Sequence, residues 1–256
     1  MSLPRQRPLR PSQRSRSGRA RWLLVAALAF VPMLLAGCVQ EPQPHPLTDA
    51  ESERLAVARF RNFDAGVRTI EVQLPDSSAG TITLSGWFDW ANGVGYAAAN
   101  NEDGSLGLVW WSETTIATRE LPVDEPTLPI PADGWASGPL DPANSTLTNI
   151  LSVIGALGSD RPENPLLLRQ SDAAWLRTDT IGDLAVDVFA GPSGSTGDES
   201  SGDPETAPRY WLDDTGLMHR IELRLGGSTA WTTVDFGPAD DVAIPAEVPG
   251  SEAPSP

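Results

Sequence analysis

Between Thr81 and Trp90 the residues Ile82, Leu84, Gly86, Phe88 and Trp90 fall on one side of the chain, and Asn92-Gly93 follows directly. Alternation with period two marks a strand with one buried face, and Asn-Gly is a strong signal for a two-residue hairpin. The segment commits the chain to antiparallel pairing. A two-residue turn would set Phe88 opposite Ala97 and Trp90 opposite Gly95, so that bulky residues face small ones and leave room on that face. Further strands are predicted at 106–112, 114–120, 165–170, 173–179, 184–190 and 229–236. A second hairpin is expected where 209–213 and 217–225 flank Asp213-Asp214-Thr215-Gly216, a type I turn with glycine in the left-handed slot. Strict alternation then places Leu217, His219, Ile221, Leu223 and Leu225 on its inner face, with Met218, Arg220, Glu222 and Arg224 outside.

Two stretches switch to helical spacing. Thr48-Asp49-Ala50-Glu51 has the form of a capping box and predicts a helix over 49–65, with Ala56, Phe60, Phe63 and Val67 on one face. Asn144 or Ser145 can cap a second helix, whose apolar stripe is Leu147, Ile150, Leu151, Ile154 and Leu157 and which Gly158 ends. The proline-rich stretch 121–142 reads as an irregular crossing. Residues 191–208 hold almost nothing that could be buried and read as a mobile loop. Nothing alternates as βαβ units would. The fold class is therefore α+β, with one curved antiparallel sheet covered by helices.

The N-terminus obeys different rules. Seven arginines and no acid occupy the first 21 residues, an apolar run from Trp22 to Leu35 follows, and the small residues Ala36 and Gly37 end it. That is the order of an export signal, and the run is shorter than the ~20 residues a transmembrane helix needs. Leu35-Ala36-Gly37-Cys38 resembles the lipobox of bacterial lipoproteins, in which the cysteine takes diacylglycerol and becomes residue one. Cys38 is the only cysteine; acylation would remove a free thiol from an exported protein that can form no internal disulfide. Without an Arg-Arg pair before the apolar run, the general secretory route is expected. The expected organisation is a signal peptide at 1–37, an acylated cysteine with a proline-rich tether at 38–47, one domain at 48–248 and a disordered tail at 249–256. The protein would sit lipid-anchored on the extracytoplasmic face of the cell membrane. After cleavage, 11 arginines face 34 acids, a net charge of −23 that repels nucleic acid.

Tyr210-Trp211-Leu212-Asp213-Asp214-Thr215-Gly216-Leu217-Met218-His219-Arg220-Ile221 is similar to the W-x-D-x-x-G-L-x-R-x hairpin of actinobacterial envelope lipoproteins of the LppX/LprG type. Val234 to Gly237 with Val242 to Pro245 resembles that family's closing strand, and Gly182 to Ala190 an earlier one. The resemblance covers residues 48–248. It implies a LolA-like half-open barrel whose concave face, closed by helices, holds acyl chains of glycolipids or lipoproteins. The ligand face it implies is then Ile82, Leu84, Phe88, Trp90, Leu147, Leu151, Ile154, His219, Ile221 and Leu223. Eight tryptophans beyond residue 38 could fill that space instead.

Other chemistry finds little support. The mature chain has two histidines, His45 and His219, too few for a histidine-based metal site. A serine hydrolase would depend on His219 alone, and no G-x-S-x-G occurs. There is no lysine and no phosphate-binding glycine loop. A non-enzymatic, cofactor-free monomer that binds an acylated lipid is expected, with a filled-core scaffold or sensor acting through protein contacts as the alternative. Cys38→Ala should abolish acylation and leave unprocessed precursor, because no other thiol can accept the lipid; fatty-acid labelling of the two forms checks this, and label retained by the alanine variant would refute it.

Overall fold

The structure is a computed structural model that describes residues 43–76, 80–193 and 207–250. The signal peptide, Cys38, most of the 191–208 loop and the end of the tail lie outside the described residues. After β1 (His45–Pro46) come α1 (Asp49–Ala56) and α2 (Ala58–Asp64). A first meander runs β2 (Val67–Asp76), β3 (Gly80–Asp89), β4 (Val94–Asn101), β5 (Gly104–Ser112), β6 (Thr115–Arg119) and β7 (Ala136–Pro139). Two more helices follow, α3 (Thr146–Ala156) and α4 (Pro165–Gln170). A second meander closes the domain with β8 (Ala174–Ile181), β9 (Leu184–Ala190), β10 (Arg209–Leu212), β11 (Met218–Leu223) and β12 (Thr232–Pro238).

All twelve strands belong to one antiparallel sheet in the order β1-β8-β9-β10-β11-β12-β2-β3-β4-β5-β6-β7. The two meanders join where β12 pairs with β2, and β1 and β7 are the open edges. Curvature follows from what α3 meets. One cleft joins its Leu151, Ser152 and Gly155 to Phe88 and Trp111, and a second joins Val153, Ala156 and Leu157 to Tyr210, Ile221 and Leu223. From β5 to β10 is six strand spacings, about 29 Å if flat, whereas a helix is about 10 Å across. The sheet must curl around α3.

The first helical stretch forms as its sequence requires. Thr48 Oγ1 accepts from Glu51 N while Glu51 Oε2 accepts from Thr48 N. The helix is broken at Val57, and its buried residues are Ser52, Leu55, Ala56, Ala58 and Asn62 rather than Phe60, which stays half exposed. Gly216, at φ +84°, comes so close to this break that an added Cβ would lie 2.6 Å from Val57 Cγ2. Ser145 caps α3, and Ile150, Leu151 and Ile154 are completely buried. The C-terminal end of α3 is fastened from three sides. Trp90 Nε1 donates to Ile154 O at 2.9 Å, Arg59 Nε to Ala156 O at 2.8 Å and Asn62 Nδ2 to Leu157 O at 3.0 Å.

Four expectations are corrected. The β3–β4 connection is a four-residue loop, not a two-residue turn, so Phe88 faces Gly95 and Gly86 faces Ala97. Asp89 stabilises the longer loop by accepting from the backbone of Ala91 and Asn92 and from Asn92 Nδ2. The shift moves each pairing by an even number of residues, so the buried faces survive. The room beside Gly95 is not empty: a Cβ there would lie 2.3 Å from Trp111 Cζ2. Second, residues 165–170 form α4 rather than a strand, because Asn164 Oδ1 caps Leu166 N and Pro165 occupies the first turn. Third, β10 and β11 slip by one residue between Trp211 and Leu212, leaving His219 unpaired. That bulge turns Met218 into the core and takes His219 off the inner face. Fourth, the proline-rich crossing contains β7. At the N-terminal boundary, His45 and Pro46 pair with β8 and Leu47 is buried, so these residues belong to the sheet rather than to a free tether.

Gly95→Ala should destabilise the domain by about 1–3 kcal/mol, since the methyl overpacks against a rigid indole. In Gly95→Ala/Trp111→Leu the loss should be smaller than the sum of the two single losses. Urea denaturation of the four proteins measures this coupling, and strict additivity would contradict the packing described.

Candidate functional site

The inner face of the sheet and the helices share one apolar cluster running from Leu47 through β2–β5 and α3 to β12. Of the residues singled out in the sequence, Ile82, Leu84, Trp90 and Ile154 are packed inside it and line neither cleft. Leu147 packs at its margin. Phe88 and Leu151 line the first cleft and Ile221 and Leu223 the second. His219 belongs to neither.

The first cleft has a volume of about 270 Å³. Its apolar walls are Phe88, Trp111, Leu140, Leu151 and Ala156, and Ser112, Glu113 and Ser152 stand at its polar side. Gly155 keeps it open: an added Cβ would only reach van der Waals contact, 3.7 Å from Phe88 Cζ. One polar atom is out of balance there. Trp111 is 1 % exposed, and its indole Nε1 is buried with no hydrogen-bond partner among the described residues. An unsatisfied buried donor costs about 1–3 kcal/mol. The sequence showed Trp111 but not that its N–H would be left over. The second cleft, of about 250 Å³, lies across α3 and carries Arg59 and Glu163 at its rim.

The tryptophans are distributed so that only part of this space is lost to them. Trp90, Trp111 and Trp175 belong to the inner cluster. Trp87, Trp110 and Trp135 lie in a separate cluster on the opposite face of β4–β6, under the 121–135 crossing and the Val242–Val248 segment. Trp211 packs with Val186 and Val188 on the outer face of β8–β10, and Trp231 sits between the guanidinium groups of Arg209 and Arg224, 4.3 and 4.5 Å from their carbons. The outer face also carries a trough of about 580 Å³ over Thr69, Glu71, Ser85, Trp87 and Asp235. It is wide open and partly polar, and it shares no wall with α3.

His219 serves the turn. Its Nε2 lies 3.0 Å from Asp213 Oδ2, while Asp213 Oδ1 accepts from Thr215 N, Thr215 Oγ1 and Leu217 N. Among the described residues no hydroxyl group is hydrogen-bonded to His219. Burial pushes the Asp213 carboxyl up, but the hydrogen bonds from His219, Thr215 and Leu217 outweigh it and hold the group below its ordinary range. Buried Arg68 is the other perturbed group nearby. Desolvation lowers it to about 10, against the opposing pull of Asp213, and its Nη1 donates to Asn62 Oδ1 and Met218 O.

The geometry defines an open antiparallel sheet wrapped on helices, with an apolar inner face split by α3 into two clefts. Among solved structures the chain is similar to the Mycobacterium tuberculosis lipoprotein LppX, at 13% identity and a TM-score of 0.42, over 72% of this chain and 93% of that one. No family model and no curated protein matches the chain. The ligand question therefore rests on this chain's own side chains.

A carboxyl with a lowered pKa contributes stability that is present above its unfolded value and is lost as pH falls through the folded one. Asp213→Asn should thus cost about 1–2 kcal/mol at neutral pH and should lose less additional stability than the parent as pH falls below about 4. Chemical denaturation across that range checks the sign, and parallel curves would contradict it.

Proposed function

We propose that the chain is an extracytoplasmic lipoprotein of the LppX/LprG kind, anchored through acylated Cys38, which holds one acyl chain of an envelope lipid in the cleft between α3 and β3–β5. The single observation that carries this reading is the buried Trp111 Nε1 without a partner among the described residues, on a side chain that lines a cleft with apolar walls and one polar side. An ester or carboxyl oxygen would accept from it, and the alkyl chain would lie against Phe88, Leu140 and Leu151. Volume limits the cargo. Pockets that bury small ligands span ~300–1,000 Å³, and a cleft of about 270 Å³ falls just below that range, which leaves space for one chain at most and none for a lipid with several. The inner-face residues Ile82, Leu84, Trp90 and Ile154 then act as the packed floor behind the site rather than as contacts.

A second reading has its own observation. Trp111 over Gly95 and Trp90 bonded to Ile154 fill much of the interior, as a scaffold or sensor without cargo would require.

The two readings separate on Gly155→Leu and Trp111→Phe. Gly155 has helical geometry and open space beside it, so leucine improves helix propensity by roughly 1 kcal/mol and fills the cleft. With cargo, mass spectrometry of lipid extracted from the purified domain should find lipid in the parent, little in Gly155→Leu with an unchanged or raised Tm, and weakened retention, about tenfold, in Trp111→Phe. A parent domain that carries no lipid, with Trp111→Phe more stable than the parent, would establish the scaffold.

A further inference from the structure

Helix α4 turns its apolar residues in opposite directions. Leu168 is buried in the main cluster, whereas the adjacent Leu166 and Leu167 are 49% and 63% exposed. What distinguishes them is where they stand. Arg169 of α4 is ion-paired with Asp49 at the start of α1, and the strand that follows α4 pairs Ala174 and Trp175 with Pro46 and His45. The His45 ring stacks on Trp175 with centroids 4.9 Å apart. These contacts fix α4 at the point where the polypeptide arrives from Cys38. Cys38 lies seven residues before His45, a stretch that reaches at most about 25 Å when fully extended.

Charge selects the same place. The mature chain carries −23 and most of its surface is repelled by anionic headgroups. Residues 165–170 contain no acid. The acids around them are matched: Glu163 is ion-paired with Arg59, Asp160 with Arg161 and Asp49 with Arg169, and Asp172 accepts from Ser193 N.

We propose that Leu166 and Leu167 insert into the headgroup–acyl boundary of the membrane that holds Cys38, so that the domain stands in one orientation instead of swinging on its tether. The proposal rests on the anchor of the preceding section. Two leucines bind a bilayer weakly by themselves, but a tether this short keeps them at high effective concentration beside it. Arg161 and Arg169 flank the inserted residues and lie at headgroup level.

The test uses the mature chain beginning at Cys38, coupled through that thiol to maleimide phospholipid in phosphatidylcholine–phosphatidylglycerol vesicles that also contain a diazirine phospholipid. Mass spectrometry maps the photo-crosslinks. They should concentrate on residues 165–170, and in Leu166→Ser/Leu167→Ser they should fall at that segment at least about fivefold, with the circular dichroism spectrum and the crosslinks in the tether unchanged. Crosslinks scattered over the domain, or confined to the tether, would overturn the proposal. So would crosslinks joining residues 165–170 to a second copy of the chain, which would make these leucines a self-association surface. Because the anchor is attached chemically, a negative result bears on α4 alone, while fatty-acid labelling of cells reports separately on whether Cys38 is acylated.

Discussion

The indole of Trp90 holds the domain together at the place where sheet and helix meet. Its N–H donates to the carbonyl of Ile154. One side of the ring packs so tightly on Gly158 that an added Cβ there would lie 2.3 Å from Trp90 Cδ1, and its other neighbours are Phe88 and Phe236, with centroids 5.1 and 5.7 Å away. The Ile154 carbonyl, in the last turn of α3, also accepts from Leu157 N at 3.1 Å, and a carbonyl oxygen has a second lone pair for another donor. That second donor, from the residue just after β3, fixes the height of α3 above the sheet, and Arg59 and Asn62 fix its end against α2. With α3 held there, burial of Ile150, Leu151 and Ile154 stabilises the structure by about 2 kcal/mol for each side chain. That burial is possible only if both meanders curl toward the helix.

The same constraint produces the clefts. A helix set against a twisted, curled sheet cannot touch it evenly along both flanks, and where α3 presents small residues the contact fails. Gly155 and Ser152 face one such gap, Ala156 borders both, and Tyr210 and Leu223 close the far side of the other. The interior is thus neither a filled core nor a wide cavity. It is a packed floor with two narrow openings, and the first has a buried donor in its wall.

Periodicity made most of this legible in advance. The alternation in β3, the stripe of α3 and the capping box at Thr48 identify faces, and faces survive errors of register. The β3–β4 loop shows why: a two-residue turn and the observed four-residue loop bury the same side of the strand. Features that interrupt the period were hidden. The bulge at His219 reverses one residue without altering the composition around it, so the histidine assigned to the inner face instead holds the Asp213 turn. Three consecutive leucines in α4 read equally well as a buried strand, and only the Asn164-Pro165 start distinguishes the helix. Nor could spacing reveal Arg68, which is buried because Asn62 and the Met218 carbonyl happen to converge on it, or the unpaired N–H of Trp111.

The proposal that the cleft between α3 and β3–β5 holds a single alkyl chain is open to a direct count. Native mass spectrometry of the domain without its signal peptide, titrated with hexadecanoic acid, measures that number directly. A single saturating adduct that Gly155→Leu removes is expected. Saturation at two or more adducts, or no specific adduct in the parent, would contradict it.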